Sequence, residues 1–141
     1  MPTSPLSHLL DLTKALANRA RLRILTVLEG RELCVGQVAA IFDIARSTTS
    51  EHLSALRHAG LVVERKDGRF VYYSLGADAR ATAFLGPVLG ELSSDGTVAK
   101  DQQMASRILA LPHELVCELG RAALTVDVAA TSGCAASKQD G

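Results

Sequence analysis

The sequence has few of the residues and segments on which several protein classes depend, such as cysteine pairs and long apolar runs. Its 141 residues include no tryptophan, three phenylalanines, two tyrosines, four prolines and three cysteines. The cysteines, Cys34, Cys117 and Cys134, form no CxxC pair, so neither a disulfide framework nor zinc-finger spacing is indicated. No apolar run is long enough to span a bilayer, and the first residues, MPTSPLSHLL, lack a basic start and a cleavage site. We therefore expect a cytoplasmic protein.

Net charge is also lacking, because 15 lysines and arginines balance 15 acidic residues. The distribution is uneven, however. Residues 1–75 hold ten basic and seven acidic side chains, a net charge of +3, whereas residues 76–141 hold five and eight, a net charge of −3. A basic first half suits a nucleic-acid partner, and an acidic second half is better suited to partner subunits or an effector.

Residues 46–59 are predicted to form a helix with one buried face. Thr49, Leu53, Leu56 and Ala59 recur at helical spacing, which is typical of a stripe that packs on a core. The rest of the segment is rich in short hydroxyls flanked by arginines, which can contact base edges and phosphates in a major groove. The candidate DNA contacts are Arg46, Ser47, Thr48, Ser50, Glu51, His52 and Arg57. A solvated amphipathic helix without a ligand has a similar pattern.

The neighbouring segments favour the DNA-reading interpretation. Residues 35–42 are predicted to be a short apolar helix, and residues 43–45 form a tight connection, as in a helix-turn-helix. After Gly60, two strand-like runs flank an Asp-Gly pair, the strongest local signal for a hairpin. Basic side chains on this hairpin suit phosphate or minor-groove contacts. The candidates are Arg65, Lys66 and Arg69. A helix-turn-helix followed by a basic hairpin is a winged helix.

This pattern resembles the ArsR/SmtB family of bacterial metal-responsive repressors. The resemblance covers residues 12–75, in LTKALANRARLRILTVLEGRELCVGQ, STTSEHLSALRHAGLV and GRFVYYSL. It implies a dimer in which the first helix packs beside the helix that follows the wing. Zinc-sensing relatives carry Asp and His ligands in that second helix, but residues 78–92 contain no histidine and no cysteine. A zinc site of that kind is therefore not expected.

A different metal box of the family is partly present. Cys34 stands at the first cysteine of the family's ELCVC box, which reads ELCVG here, so Gly36 replaces the second thiol. In the family this box binds soft ions such as arsenite, antimonite, cadmium or lead through thiolates, the ligand type that selects soft metals. The resemblance therefore implies that Cys34 is an effector ligand with one usual partner missing.

The C-terminal part offers further thiols. A helix is predicted over residues 101–111, and another over residues 113–129, on which His113, Cys117 and Arg121 share a face. Arg121 would then favour the Cys117 thiolate, and His113 would be a possible co-ligand. Cys117 is equally compatible with the role of a small buried hydrophobe. Cys134 lies in a tail predicted to be disordered and would supply the third thiolate that trivalent arsenic takes.

We therefore predict a mostly α protein with a small β-hairpin: a dimeric winged helix-turn-helix with extra C-terminal helices. Residues 1–92 would form the DNA-binding and dimerisation domain, residues 93–128 a helical extension and residues 129–141 the tail. The predicted function is a DNA-binding transcriptional regulator, with operator DNA and a second subunit as partners and no membrane partner. No cofactor would be required, and arsenite, antimonite or another soft ion would release the protein from its operator as effector.

Other interpretations remain. The same fold could sense thiol oxidation or a non-metal ligand, or could activate transcription. An enzyme with a cysteine nucleophile is not expected, because no cysteine has the flanking glycines and the His/Asp partners that such chemistry needs.

Overall fold

Helices and a small sheet make up residues 4–126, the part of the chain that the computed structural model describes. In chain order the elements are α1 (Pro5–Leu16), α2 (Arg19–Leu28), β1 (Leu33–Cys34), α3 (Val35–Phe42), α4 (Arg46–His58), β2 (Val62–Asp67), β3 (Phe70–Leu75), α5 (Ala79–Leu92), α6 (Gly96–Leu109), α7 (His113–Leu119) and a 3₁₀ segment (Gly120–Thr125). The predicted class, mostly helical with a small β-hairpin, is confirmed. Cys134 and the predicted tail lie outside the described residues.

Side-chain caps explain where several helices begin. Asn18, Asp78 and Asp95 each accept a hydrogen bond from a backbone N–H in the first turn of the next helix, which satisfies a donor that has no intrahelical partner. Ala45 precedes α4 and has no side chain that can cap it. The first turn of α4 therefore keeps free N–H groups on an exposed surface.

Every helix, the 3₁₀ segment and the sheet contribute buried residues to one core. The stripe predicted for α4 is confirmed, since Thr49, Leu53 and Leu56 are each 0% exposed. They meet Ile24 and Leu25 of α2, which are also fully buried. Burying one such side chain contributes about 1.5 to 3 kcal/mol, so this cluster fixes α4 against the body and leaves its opposite face outside.

The sheet has one strand more than the predicted hairpin. Its order is β1-β3-β2, and all pairs are antiparallel. The short strand β1 pairs Cys34 with Tyr72. The turn also differs from the prediction: Asp67 is a strand residue opposite Phe70, and Gly68 with a φ of 59° occupies the first turn position. Glycine adopts this positive φ without strain, so the turn is Gly-Arg rather than Asp-Gly.

The C-terminal helices differ from their predicted bounds. α6 begins at Gly96 rather than at residue 101, because Asp95 caps it. The last predicted helix ends at Leu119, because Gly120 has a φ of 59° and a 3₁₀ segment follows. Val116 and Ala123 are buried there, whereas Leu119 is exposed.

The extension formed by α6, α7 and the 3₁₀ segment packs against the helix-turn-helix. Arg23 of α2 donates two hydrogen bonds of 2.8 Å to the carboxylate of Asp101, which is buried. Gln102 donates to the Thr26 carbonyl and accepts from Arg31. The extension therefore lies against α2 and α3, on the side of the subunit where Cys34 lies.

The outer face of α1 carries an exposed apolar row. Three leucines of α1, Leu6, Leu9 and Leu10, are exposed by 71%, 46% and 49%. An apolar row of this kind is typical of a face that another protein surface covers.

Within residues 4–126, no helix is both long enough and apolar enough to cross a membrane.

Candidate functional site

Two cysteines and a histidine from distant parts of the chain converge at the junction of α3, β3 and α7. The Sγ atoms of Cys34 and Cys117 are 3.7 Å apart. The ring nitrogens of His113 lie 3.8 and 3.9 Å from the Cys117 Sγ. One potential ligand atom from each residue lies within 4.8 Å of the other two. We call Cys34, His113 and Cys117 the thiol–imidazole site.

Local structure fixes Cys34 at the start of α3. Its backbone N–H donates a 3.0 Å hydrogen bond to the side chain of Gln37, and its pairing with Tyr72 holds it in the sheet. The residue is only 4% exposed. The thiol is therefore held between the helix-turn-helix and the wing, which is the hairpin formed by β2 and β3.

Gly36 lies against α7 and Arg46. A Cβ atom added at Gly36 would lie 3.4 Å from the Cys117 Cα and 3.5 Å from Nη2 of Arg46, at the near end of ordinary van der Waals contact. Gly36 therefore lacks the second thiol of the family box, and the Cys117 backbone lies beside the same position.

His113 rests on the wing. Its ring meets the Phe70 ring edge-on, with centroids 4.5 Å apart and an interplanar angle of 82°, and lies 5.7 Å from the Tyr72 ring. Aromatic pairs favour this geometry. The imidazole is therefore oriented by β3, and the site joins the wing to the helix-turn-helix.

The electrostatics of Cys117 differ from the prediction. Burial and the neighbouring Cys34 raise the pKa of the Cys117 thiol to about 11. Arg121 does not act on this thiol, because its guanidinium instead donates to the carbonyls of Ala40 and Ile41 at 3.0 and 2.7 Å. The break at Gly120 takes Arg121 off the α7 face on which the regular helix would have placed it. Arg46 is the cation that lowers the pKa of Cys117, and its effect is smaller than that of burial.

The donor set suits a soft or borderline ion. Thiolates and imidazole are the ligands of zinc and related metals, and tetrahedral Zn–S bonds of about 2.3 Å would place two sulfurs about 3.8 Å apart. The observed 3.7 Å separation is compatible with such a pair without rearrangement. A recess of about 280 Å³ opens the site to solvent at Cys117. Its lining residues are Arg69, Phe70, Glu114, Cys117 and Glu118.

The candidate DNA contacts form an exposed surface with some internal pairing. Five predicted contacts at the start of α4 are exposed: Arg46, Ser47, Thr48, Ser50 and Glu51. His52 is half-buried and accepts a hydrogen bond from Arg21, so it faces α2 as well as solvent. Burial and the charge of Arg21 lower the pKa of His52, which favours the neutral ring. Arg57 is exposed and lies 3.9 Å from Glu64.

The wing carries the other predicted contacts. Arg65 donates to the Glu32 carboxylate at 2.6 and 3.0 Å, and its guanidinium also lies over the Tyr72 ring. Lys66 and Arg69 are exposed, and the Arg69 guanidinium lies over Phe70. The three basic side chains therefore lie on an exposed hairpin.

Sequence reasoning missed the contact that joins the two surfaces. Nη2 of Arg46, the first residue of α4, donates a hydrogen bond to the Cys117 carbonyl in the last turn of α7. The aromatic support of His113 and the closeness of Gly36 to Cys117 were missed as well. The only available signal was the glycine in the ELCVG box, and it indicated a lost ligand rather than a close approach.

Comparisons with known proteins identify relatives of this chain. A model of the bacterial regulatory protein arsR family matches residues 18–63. The HTH-type transcriptional regulator CmtR of Mycobacterium bovis is 44% identical over 86 residues, which are 61% of this chain and 69% of CmtR. The cadmium resistance transcriptional regulatory protein CadC homologue of Staphylococcus aureus is 47% identical over 64 residues, 44% of this chain and 52% of that protein.

Solved structures give the same result for the fold. HlyU from Vibrio cholerae superposes with a TM-score of 0.57 at 31% identity, over 66% of this chain and 100% of that chain. In sequence, the transcriptional activator HlyU is 44% identical over 64 residues, 45% of this chain and 59% of HlyU's own length. A homodimeric winged helix-turn-helix DNA-binding domain from Mycobacterium bovis matches with a TM-score of 0.56 at 32% identity, over 62% of this chain and 81% of that chain.

Proposed function

Because the chain belongs to the ArsR family of bacterial regulatory proteins, we propose that it is a homodimeric transcriptional regulator that a soft ion, bound at the thiol–imidazole site, releases from operator DNA. The convergence of Cys34, His113 and Cys117 within 4.8 Å is the observation that carries the effector part of the proposal. The exposed first half of α4 and the basic wing support the DNA part.

The DNA surface supports binding by two kinds of contact. The hydroxyls of Ser47 and Ser50 lie on the exposed face of α4, where they suit base edges in a major groove. Lys66 and Arg69 on the wing suit phosphates, whose contacts position a protein without reading sequence. The dimer supplies two such surfaces, as half-sites about one helical turn apart require.

The donor set favours some ions over others as effectors, and this preference can be tested. Two thiolates and one imidazole match borderline and soft divalent ions such as zinc and cadmium. Trivalent arsenic or antimony takes three thiolates, so arsenite or antimonite as effector additionally requires Cys134. A relative named for cadmium resistance agrees with a soft divalent ion.

One observation favours a second candidate function. The two Sγ atoms, 3.7 Å apart, are close enough for a small movement to join them as a disulfide. In that version an oxidant with a two-electron capacity converts the two thiols to a disulfide, and the protein senses oxidation instead of an ion. The two candidates differ in whether reduced protein responds to an ion.

The experiment that tests the proposal uses reduced protein and an operator duplex selected from a random pool. Fluorescence anisotropy should show release of the duplex when cadmium, zinc, arsenite or antimonite is added, with dithiothreitol replaced by a reductant that does not bind metal. Cys34→Ser should bind the duplex as wild type does and should not release it. If all four ions leave binding of wild type unchanged while diamide, a thiol oxidant, abolishes it, the redox function replaces the ion sensor.

Matched variants test the DNA surface. Lys66→Ala with Arg69→Ala should weaken binding to operator and random duplexes alike and reduce the salt dependence. Ser50→Ala should cost about 1 to 3 kcal/mol on the operator and little on random DNA, if its hydroxyl contacts a base. Equal, small effects of both changes on both duplexes would mean that DNA binds elsewhere.

A further inference from the structure

One residue connects the thiol–imidazole site to the DNA surface. The side chain of Cys117 belongs to the site, and its carbonyl accepts a hydrogen bond from the guanidinium of Arg46. Carbonyls in the last turn of a helix lack intrahelical partners and attract cations, so this pairing is favourable. Arg46 is the first residue of α4 and a candidate DNA contact. Any shift of α7 therefore changes the surroundings of Arg46.

The same helix places negative charge beside the wing. Glu114 and Glu118 of α7 are exposed and border the recess that Arg69 also lines. A phosphate that approaches Arg69 would meet these carboxylates, and like charges repel. In its docked position, then, α7 both holds one DNA-facing arginine and lowers the positive potential beside another.

Outside the site, α7 is held by two apolar side chains. Val116 is its one fully buried residue and Leu115 packs half-buried against the core, while the 3₁₀ segment that follows is attached separately to α3 through Arg121. A seven-residue helix has little stability without tertiary contacts. Its position is therefore set largely by what Cys117 and His113 bind.

We propose that α7 is an ion-controlled clasp: an ion shared by Cys34, His113 and Cys117 fixes α7 in the docked position, in which it withholds Arg46 from DNA and sets Glu114 and Glu118 against the phosphates. This regulatory step rests on the proposed function and names its mechanism. Operator binding favours a conformation in which α7 has left Arg46. Since the ion and the DNA favour different positions of α7, each lowers the affinity of the other by the same factor.

A covalent link tests the clasp without any ion. In a Cys134→Ser background, diamide can join Cys34 and Cys117, which removes one hydrogen from each thiol and reduces the diamide to its hydrazine form. Mass spectrometry verifies the loss of two hydrogens. The linked protein should bind the operator at least about tenfold more weakly than the reduced protein and recover with dithiothreitol. Cys34→Ser in the same background should not respond to diamide.

The outcomes separate the clasp from the ion sensor. If the linked protein binds the operator as tightly as the reduced protein, docking of α7 does not control DNA and the clasp is wrong, even where cadmium still releases the operator. If linking weakens binding but no ion does, docking of α7 controls DNA binding, but control by an ion is wrong both in the clasp and in the proposed function. Hydrogen exchange of residues 113–119 gives a second readout: cadmium should slow it and operator DNA should accelerate it, and slower exchange on DNA binding would also overturn the clasp.

Discussion

At the scale of single residues, Gly36 marks the place where the family box has a second cysteine. In the structure the Cys117 backbone lies beside this position, since a Cβ atom added at Gly36 would be 3.4 Å from the Cys117 Cα. The thiol lost from the box is thus replaced in space by one from α7, 83 residues along the chain from Cys34.

The candidate ligands could be predicted from the sequence, but their convergence at one site could not. Cys34 was identified by its place in the family box, and His113 and Cys117 by helical spacing. Their convergence depends on the direction in which the extension crosses α3, which no local pattern encodes. The role predicted for Arg121 was wrong because it assumed a continuous helix through Gly120.

The raised pKa of Cys117 predicts how ion affinity depends on pH. Burial and the neighbouring Cys34 keep this thiol protonated at neutral pH, since its pKa is about 11. An ion must displace that proton, so affinity should rise as pH rises, by about tenfold per pH unit for this one proton between pH 6 and 9. Cadmium titrations at several pH values, followed by thiolate-to-metal absorbance, measure the slope. An affinity independent of pH would show that Cys117 is not a ligand.

At the scale of elements, helix boundaries follow the caps. The predicted bounds of α3 are the observed ones, since its apolar periodicity and flanking residues agree. α6 begins five residues before its predicted start. Asp95 begins the helix, accepting from the N–H groups of Thr97 at 2.8 Å and Val98 at 3.1 Å. The strand β1 was missed because two residues carry no alternation to detect.

The Asp95 cap can be tested through stability. Asp95→Ala should lower the free energy of unfolding by about 1 kcal/mol, because two N–H groups lose their acceptor. Asp95→Asn is the matched control, since asparagine caps a helix as well as aspartate does. Urea unfolding measures both variants. A stability loss for asparagine equal to that for alanine would mean that charge, not capping, matters at this position.

At the scale of the whole molecule, the extension covers α2 and α3, whereas the first helix keeps an exposed apolar face. α6 and α7 cover α2 and α3 through the Arg23 to Asp101 pair and the buried Val116. The leucines of α1 remain exposed within the subunit. The family resemblance implies that α1 packs beside α5 in the dimer, whereas Leu85 of α5 is buried in the subunit core. A dimer through α1 is the arrangement that covers the exposed leucines.

Charging the α1 face tests the dimer. Leu10→Glu should give monomers in sedimentation at micromolar concentration and weaken operator binding by at least about tenfold, because two linked half-site contacts become one. Gln103→Glu adds the same charge on an exposed position of α6 and should change neither property. Leu10→Glu protein that sediments as a stable dimer would exclude α1 as the interface.

We propose that one ion in the thiol–imidazole site of each subunit releases the protein from DNA. One titration of reduced protein on labelled operator tests this, with thiolate-to-cadmium absorbance and anisotropy followed together. Absorbance should saturate at one cadmium per subunit, anisotropy should fall along the same curve, and Cys117→Ser should lose both signals while keeping operator affinity. Operator release by cadmium at the wild-type concentration in Cys117→Ser, or saturation of the site with the operator still bound, would contradict the proposal.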